Sequence, residues 1–288
     1  MSSPSSTRIS PPEPQSPPGV GPRRPPSVRC GLSIIRFLGS IVVASIVPVA
    51  LVVGWEIAVD ARLISALLFP APSTVWDTTI ELFESGILGE QVWVSVRRVL
   101  WGMAIGCGSA LVIGALSGYL LPFERAVDPT VQMVRMIPHL ALTSLFVLWF
   151  GIGETSKILL IAKGVFFPIY IATFLGFRNV DVKLLEVGRV LEFTRWQTVR
   201  RILIPGAVPH LFLGLRISMG IAWGALVVSE MVSASSGLGY MMVDARAFSD
   251  TPVVFAGILC FAVLGIGSDL LIRLLERRVM HWHSGVLS

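Results

Sequence analysis

The sequence predicts an all-α membrane protein, a polytopic bundle of about six transmembrane helices with a cytoplasmic helix between the fourth and fifth spans. Three observations carry this. Hydrophobic residues make up 53% of the 288 residues and charged residues 14%, against about 45–50% and about 25% in soluble domains. The excess is gathered into blocks of roughly 20 residues, the length that a helix rising about 1.5 Å per residue needs to cross about 30 Å of hydrocarbon. Lysine and arginine also divide unevenly between the two sides those blocks define, which is the topological signature of a multi-pass protein.

In chain order, residues 1–33 are Pro- and Ser-rich with almost nothing to bury, so a disordered cytoplasmic tail is expected. Residues 34–280 form the transmembrane domain. The first span is expected at Phe37 to Val59 and the second at Val99 to Leu121. The third is a short block from Ile137 to Gly151. The fourth runs from Ile158 to Phe177, the fifth from Leu211 to Val232 and the sixth from Val253 to Leu275. Between the first two spans, "LFPAPSTVWDTTIELFESGILGEQVW" offers Ser73 as a helix N-cap. Val75, Trp76, Ile80 and Phe83 fall on one side, an interfacial or protein-covering helix. The second span repeats a small residue at Gly102, Gly106, Ala110, Gly114 and Gly118, which lets a neighbouring helix approach closely. The third block is too short to cross alone and borrows "VQMVRMIPH" from upstream. Pro138 there removes a backbone donor and is expected to kink the helix, toward a cavity or a neighbour.

Sixteen Lys and Arg residues fall on the side of the termini, the 122–136 loop and the 178–209 segment. Five (Arg62, Arg97, Arg98, Lys157 and Arg246) fall on the other. The positive-inside rule therefore puts both termini and the 178–209 segment in the cytoplasm of a plasma membrane protein. The formal net charge of +5 is explained by the same rule and gives no reason to expect nucleic acid.

Several chemistries find no support. The chain has no Gly-Lys-Ser/Thr phosphate loop, no His-Glu-x-x-His and no Gly-x-Ser-x-Gly. "GIGETSK" lacks the phosphate-loop Lys spacing. Cys30, Cys107 and Cys260 are too scattered for a disulfide framework or a zinc site. No catalytic residue, metal or cofactor is expected. Lys163 lies inside the fourth span, where an ammonium must snorkel or face a cavity; in a cavity it would contact a transported anion. Arg97 and Arg98 read as interface anchors. Glu230 and Asp269 read as snorkelling or helix-pairing carboxylates, with proton relay as the other reading, and His139 as structural or cavity-lining.

The segment "LEVGRVLEFTRWQTVRRILIPGAVP" decides the function. Glu186, Arg189, Glu192 and Arg195 alternate in sign every three residues, and Leu184, Val187 and Leu191 line another side. A two-faced helix results, with Pro205 and Pro209 expected to end it before the fifth span so that it lies across the membrane surface. The run from Glu186 to Pro205 resembles the "EAA" loop of ATP-binding-cassette importer permeases, with Glu186 as the Glu, Val187 and Gly188 at the small positions, and Ile202, Ile204 and Pro205 at the ending. "RWQ" at 195–197 is similar to the nitrate/sulfonate/taurine branch, as are "LFPAPSTVW", "LFVLWFGIGETSKILLI" and "SGLGYMMVDARAF" followed by "LLIRLLERR". One position departs, since Glu192 stands where that family has Gly. A straighter helix or a different turn is expected from it.

The resemblance implies a permease subunit in which 181–205 is the ATPase-coupling loop and Glu186, Val187, Gly188, Arg189, Glu192, Ile202 and Pro205 its working residues. It implies a translocation path near Pro138, His139 and Lys163. The implied partners are separate ATP-hydrolysing subunits, an extracytoplasmic substrate-binding protein, a second permease copy and membrane lipid. The implied substrate is a small anion such as an aliphatic sulfonate, taurine or nitrate. The rival reading is an ion-coupled secondary transporter.

Overall fold

The computed structural model describes residues 46–280. The expected N-terminal tail and the start of the first span lie outside the described residues. What is described of that span is a helix over 46–60, α1. It is followed by α2 (Pro72–Glu84), α3 (Ile87–Tyr119), α4 (Leu121–Arg135), α5 (His139–Phe150), α6 (Glu154–Arg178), α7 (Val182–Val190) and α8 (Arg195–Thr198). A π-helical turn (Val199–Leu203) leads into α9 (Ile204–Ser233), then α10 (Leu238–Ala247) and α11 (Thr251–Val279). Among the described residues four helical segments are long and apolar enough to span a membrane: α3, α6, the continuous Arg195–Ser233 helix and α11.

The core is a three-helix sandwich with α6 in the middle. Along α3, an added Cβ at Gly106 would lie 2.6 Å from the Ala162 carbonyl oxygen, at Gly114 2.9 Å from the Thr173 Cβ, and at Gly118 2.7 Å from the Phe177 Cβ. Both sets of numbers rise together, so α3 and α6 run parallel, and the small-residue stripe is the seam between them. On the other side, Gly176 meets Ala207 and Gly164 meets Ile221, so α9 runs antiparallel to α6. Val99, Ala110, Ile161, Val165, Tyr170 and Leu226 fill the space between the three. Half of the most apolar stretch of α6 is buried, against 11% of that of α11. The last helix therefore leaves most of its surface uncovered by the described residues and touches the core through Trp223 and Phe261.

Parallel neighbours require a return crossing between them, and α4 and α5 supply it as a pair bent by 101°. This corrects the expectation of one helix kinked at Pro138. The chain leaves helical geometry altogether, and Pro138 is the N-cap of α5 with ψ 141°. The residue before a proline is pushed out of the α region and the proline itself cannot donate, so a full break is the lower-energy solution where side chains can satisfy the freed groups.

Two further expectations are corrected. Pro205 and Pro209 do not end a helix; both lie in the first turns of α9, and the helix is continuous from Arg195 to Ser233. A helix in a membrane carries internal prolines where a local π adjustment or neighbouring groups re-satisfy the freed carbonyls, and the π turn Val199–Leu203 just upstream takes up the misfit at Pro205. Ser73 is not the cap of α2, which starts at Pro72 after Ala71. Its hydroxyl instead donates to Glu56 at 2.6 Å, tying the start of α2 to the end of α1. Of the apolar residues of α2, Val75 is buried whereas Trp76 and Phe83 are exposed.

The α3–α6 seam makes a sharp contrast between glycines. Gly106→Leu forces a side chain into the α6 backbone and should cost about 1–3 kcal/mol, whereas Gly108, with nothing within 4 Å of its added Cβ, should accept Leu. Thermal unfolding in detergent is expected to fall by several degrees for the first variant and to match wild type for the second.

Candidate functional site

Three places on the molecule combine polar chemistry with a position that could serve transport. The first is the loop that follows α6. Asp181 caps α7 by accepting from the Lys183 backbone N–H at 2.9 Å, so the helix is set off from the end of α6. Gly188 is the one buried residue of α7, and its added Cβ would lie 2.8 Å from the Ile202 Cδ1 in the π turn. The small residue thus seats the short helix against the base of α9. Glu186, Val187, Arg189, Val190 and Leu191 face outward.

The chain then turns at Glu192, whose φ is +52°. A non-glycine residue held there costs roughly 1–2 kcal/mol, and glycine is the residue that adopts it freely. The expectation of a straighter helix is therefore corrected: Glu192 makes the left-handed turn itself. Immediately after it, Thr194 and Gln197 form a reciprocal capping box that starts α8, a T-x-x-Q signal legible in the sequence. Arg201 stacks over Phe193 at 5.3 Å. Among the described residues, Glu186, Arg189, Glu192 and Arg195 form no ion pair with one another. Their alternation does not continue along one helix, because α7 ends at Val190 and α8 starts at Arg195.

The second place is a cavity of about 460 Å³ bounded by α5, α6 and α9. Lys163 and His139 line it, which is one of the two readings the sequence leaves open for each, and so do Arg135 and His210, which the sequence does not single out. Pro138 is exposed beside it. The Lys163 ammonium donates to the Ile137 carbonyl at 2.9 Å and lies 5.4 Å from the Phe167 ring centroid. The Nδ1 atoms of His139 and His210 are buried and without a hydrogen-bond partner.

The third place lies at the opposite end from α7 and was not legible as a cluster. Arg98 is not an interface anchor; it is 1% exposed. It donates through Nη1 to Glu230 at 2.7 Å and through Nε and Nη2 to Glu154 at 2.7 and 2.6 Å. Glu230 further accepts from Ser95 Oγ at 2.8 Å and from the Gly239 N–H at 2.8 Å. The turn between α9 and α10 is fastened to the same face of α3. Gln91 accepts from the Gly237 N–H at 2.6 Å, Ser95 from the Leu238 N–H at 3.0 Å, and Arg98 donates to the Ser236 carbonyl at 2.7 Å. Gly237 has φ +107°, and a Cβ there would collide with both Glu230 and Arg98. Gln91, Ser95 and Arg98 recur at i, i+4 and i+7, a polar stripe on an apolar helix, and that spacing was the signal to read. Asp269, by contrast, pairs with Arg216 at 3.2 Å and Arg273 at 2.7 Å, in line with helix pairing.

An isolated buried charge costs far more than a paired one, and removing one partner of a buried pair costs about 3–5 kcal/mol. Arg98→Met, which strands the sealed Glu230 carboxylate and leaves Glu154 only Lys157 at 3.5 Å, should therefore lower yield and thermal stability more than Glu230→Gln. The glutamine still meets Ser95 and Gly239, and Arg98 keeps Glu154. Melting curves of the two purified variants check the order.

Comparison with known proteins follows the same outline. Residues 110–281 match the family described as binding-protein-dependent transport system inner membrane component. SsuC of Bacillus subtilis, named as an aliphatic sulfonates transport permease protein, is 47% identical over 239 residues, covering 83% of this chain and 87% of that one. TauC of Escherichia coli, the taurine transport system permease protein, is 33% identical over 243 residues, covering 83% and 88%. Among solved structures, an amino acid ABC transporter superposes with a TM-score of 0.56 at 17% identity, over 70% of this chain and 97% of that one. At that identity the likeness concerns the fold.

Proposed function

Because the chain belongs to the family of binding-protein-dependent transport system inner membrane components, we propose that it is the multi-pass plasma membrane permease of an ATP-driven importer for small sulfonate anions. The observation that carries this is the 47% identity to the sulfonate permease SsuC across nearly the whole length of both chains. Taurine is an aminoalkyl sulfonate, so the identity to TauC points to the same functional group. The chain itself carries out no hydrolysis in this reading. Energy comes from separate ATPase subunits, and an extracytoplasmic binding protein delivers the substrate.

The coupling residues proposed are Glu186, Val187, Gly188, Arg189, Glu192, Ile202 and Pro205, within residues 181–205. What supports this is mechanical. The outward side of α7 offers Glu186, Arg189 and exposed Val187, Val190 and Leu191, a mixed apolar and charged face of the sort that seats in a partner's groove. Its inward side is fixed to Ile202 through Gly188. From there the helix runs unbroken through 39 residues to Ser233, close to 60 Å at about 1.5 Å per residue. Displacing α7 therefore tilts α9, which borders both the cavity and the Arg98 cluster, and rigid-body rocking of this kind gives alternating access.

A second permease copy is supported by the outward side of α9. Gly220 and Gly224 have nothing within 4 Å of an added Cβ, the small-residue pattern on which helices pair in lipid, whereas Leu213 and Ile217, earlier on the helix, line the cavity. The remaining apolar surface, most of α11 included, suits lipid. The rival ion-coupled mechanism loses its best candidate, since Glu230 is held between Arg98, Ser95 and Gly239 instead of facing a water path.

Proteoliposomes holding the full assembly test the proposal. Uptake of taurine or an alkanesulfonate is expected to require ATP and to survive a protonophore. Glu186→Ala should reduce it at least tenfold, with Arg62→Ala at the opposite end unchanged. Uptake driven by an ion gradient without ATP would overturn the reading.

A further inference from the structure

Lys163 stands where two requirements meet. The 101° break between α4 and α5 interrupts the backbone hydrogen bonding that a helix supplies to itself, and inside a membrane the freed groups need another donor. The Lys163 ammonium gives one to the Ile137 carbonyl at 2.9 Å, immediately before Pro138. The same ammonium lies on the wall of the 460 Å³ cavity with Arg135, His139 and His210. Gly164 brings the His139 ring against α6, since an added Cβ would lie 2.8 Å from its Cε1. His139 therefore sits next to the lysine, with a buried nitrogen that lacks a partner, and His210 carries a second such nitrogen.

We propose that this cavity binds a small oxyanion, and that Lys163 serves both as the anion's ligand and as the strut of the α4–α5 break. A sulfonate in the cavity and the present geometry of the break thus compete for one ammonium. The inference rests on the importer reading above and adds a coupling that the reading does not contain. The ammonium–carbonyl bond is already charge-assisted, but a sulfonate adds the attraction between two full charges, and that attraction grows where water is scarce. An arriving sulfonate, with three acceptor oxygens, therefore draws the ammonium away from the Ile137 carbonyl, and the His139 imidazole completes its shell in the tautomer that carries the proton on Nδ1. Released from its strut, the start of α5 is free to re-angle against α4. The cavity extends along α6 from Lys163 to Leu175, roughly 18 Å of helix. His139 and Lys163 make an upper station and His210 a lower one, so an anion that loosens the break has a second place to go.

Backbone hydrogen exchange across 136–142, measured on the full chain in lipid nanodiscs, tests this. The probes are methanesulfonate and its neutral isostere dimethyl sulfone. In wild type, methanesulfonate should raise exchange there at least threefold and dimethyl sulfone should not. Lys163→Gln retains an N–H donor on a side chain one bond shorter but carries no charge. It should raise basal exchange less than Lys163→Met does, weaken methanesulfonate binding at least tenfold and abolish the response. Lys163→Met, which loses both roles, should show raised exchange without any anion, and Lys163→Arg should retain binding and response. Unchanged methanesulfonate affinity in Lys163→Gln, equal loss in all three variants, or anion binding with no change across 136–142 would overturn the inference. ATP-dependent uptake is read separately. Uptake without anion-linked exchange sinks the inference alone, and anion-linked exchange without ATP-dependent uptake sinks the importer reading alone.

Discussion

A guanidinium buried in an apolar bundle is tolerated only where carboxylates and hydrogen bonds replace its hydration. Arg98 meets that demand with Glu230 from the end of α9, Glu154 from the start of α6 and the Ser236 carbonyl from the following turn. Each partner sits on a different element, so satisfying one side chain fixes the relative heights of α3, α6 and α9 at that end of the molecule. Glu154 is 44% exposed on its side chain while Arg98 and Glu230 are sealed. The cluster is thus dry toward the core and wet toward one face. The parallel α3–α6 seam of small residues continues the alignment along the bundle, and the broken α4–α5 pair is the consequence, since two parallel neighbours need a return path between them.

The opposite end is organised by close approach instead of charge. Gly188 against Ile202 couples the nine-residue α7 to the longest helix among the described residues. The left-handed residue at Glu192 and the Thr194–Gln197 capping box set the angle between the two. Strain at Glu192 persists because the contacts around it over-determine the turn, as expected of a position whose geometry matters more than its local cost. The molecule therefore has a charged lock at one end, a long continuous helix through α9 and an exposed α7 face at the other end. The cavity lies beside that helix between them.

The sequence made the class of fold, the apolar blocks, the small-residue seam and the position of the loop legible, because block length, residue size and motif spacing are local properties. For Lys163 and His139 local reasoning leaves two readings each, snorkelling or a cavity and structural or cavity-lining, and only the packing of α5, α6 and α9 decides between them. What escaped were features decided by tertiary context. Pro138 breaks its span instead of kinking it because Lys163, 25 residues downstream, satisfies the freed carbonyl. Pro205 and Pro209 carry the force of helix breakers in the sequence, yet the helix runs through both, with a π turn immediately before Pro205 taking up the misfit. Arg98 was read as an anchor since a lone arginine near a span end usually is one. Its true partners are 56 and 132 residues away, a distance no periodicity reaches. For Glu192 the loss of glycine's freedom points to a straighter helix or a different turn, yet the residue adopts φ +52° itself.

The central claim is that motion at α7 reaches the bundle through the Gly188–Ile202 contact and the continuous helix beyond it. Gly188→Leu inserts a side chain at that contact while leaving the outward face of α7 intact. ATP hydrolysis and sulfonate uptake measured together in the reconstituted assembly give the most direct test. The account predicts that the ATPase subunits still bind and hydrolyse ATP within a fewfold of wild type while uptake falls at least tenfold. Uptake that keeps pace with hydrolysis in that variant would contradict it.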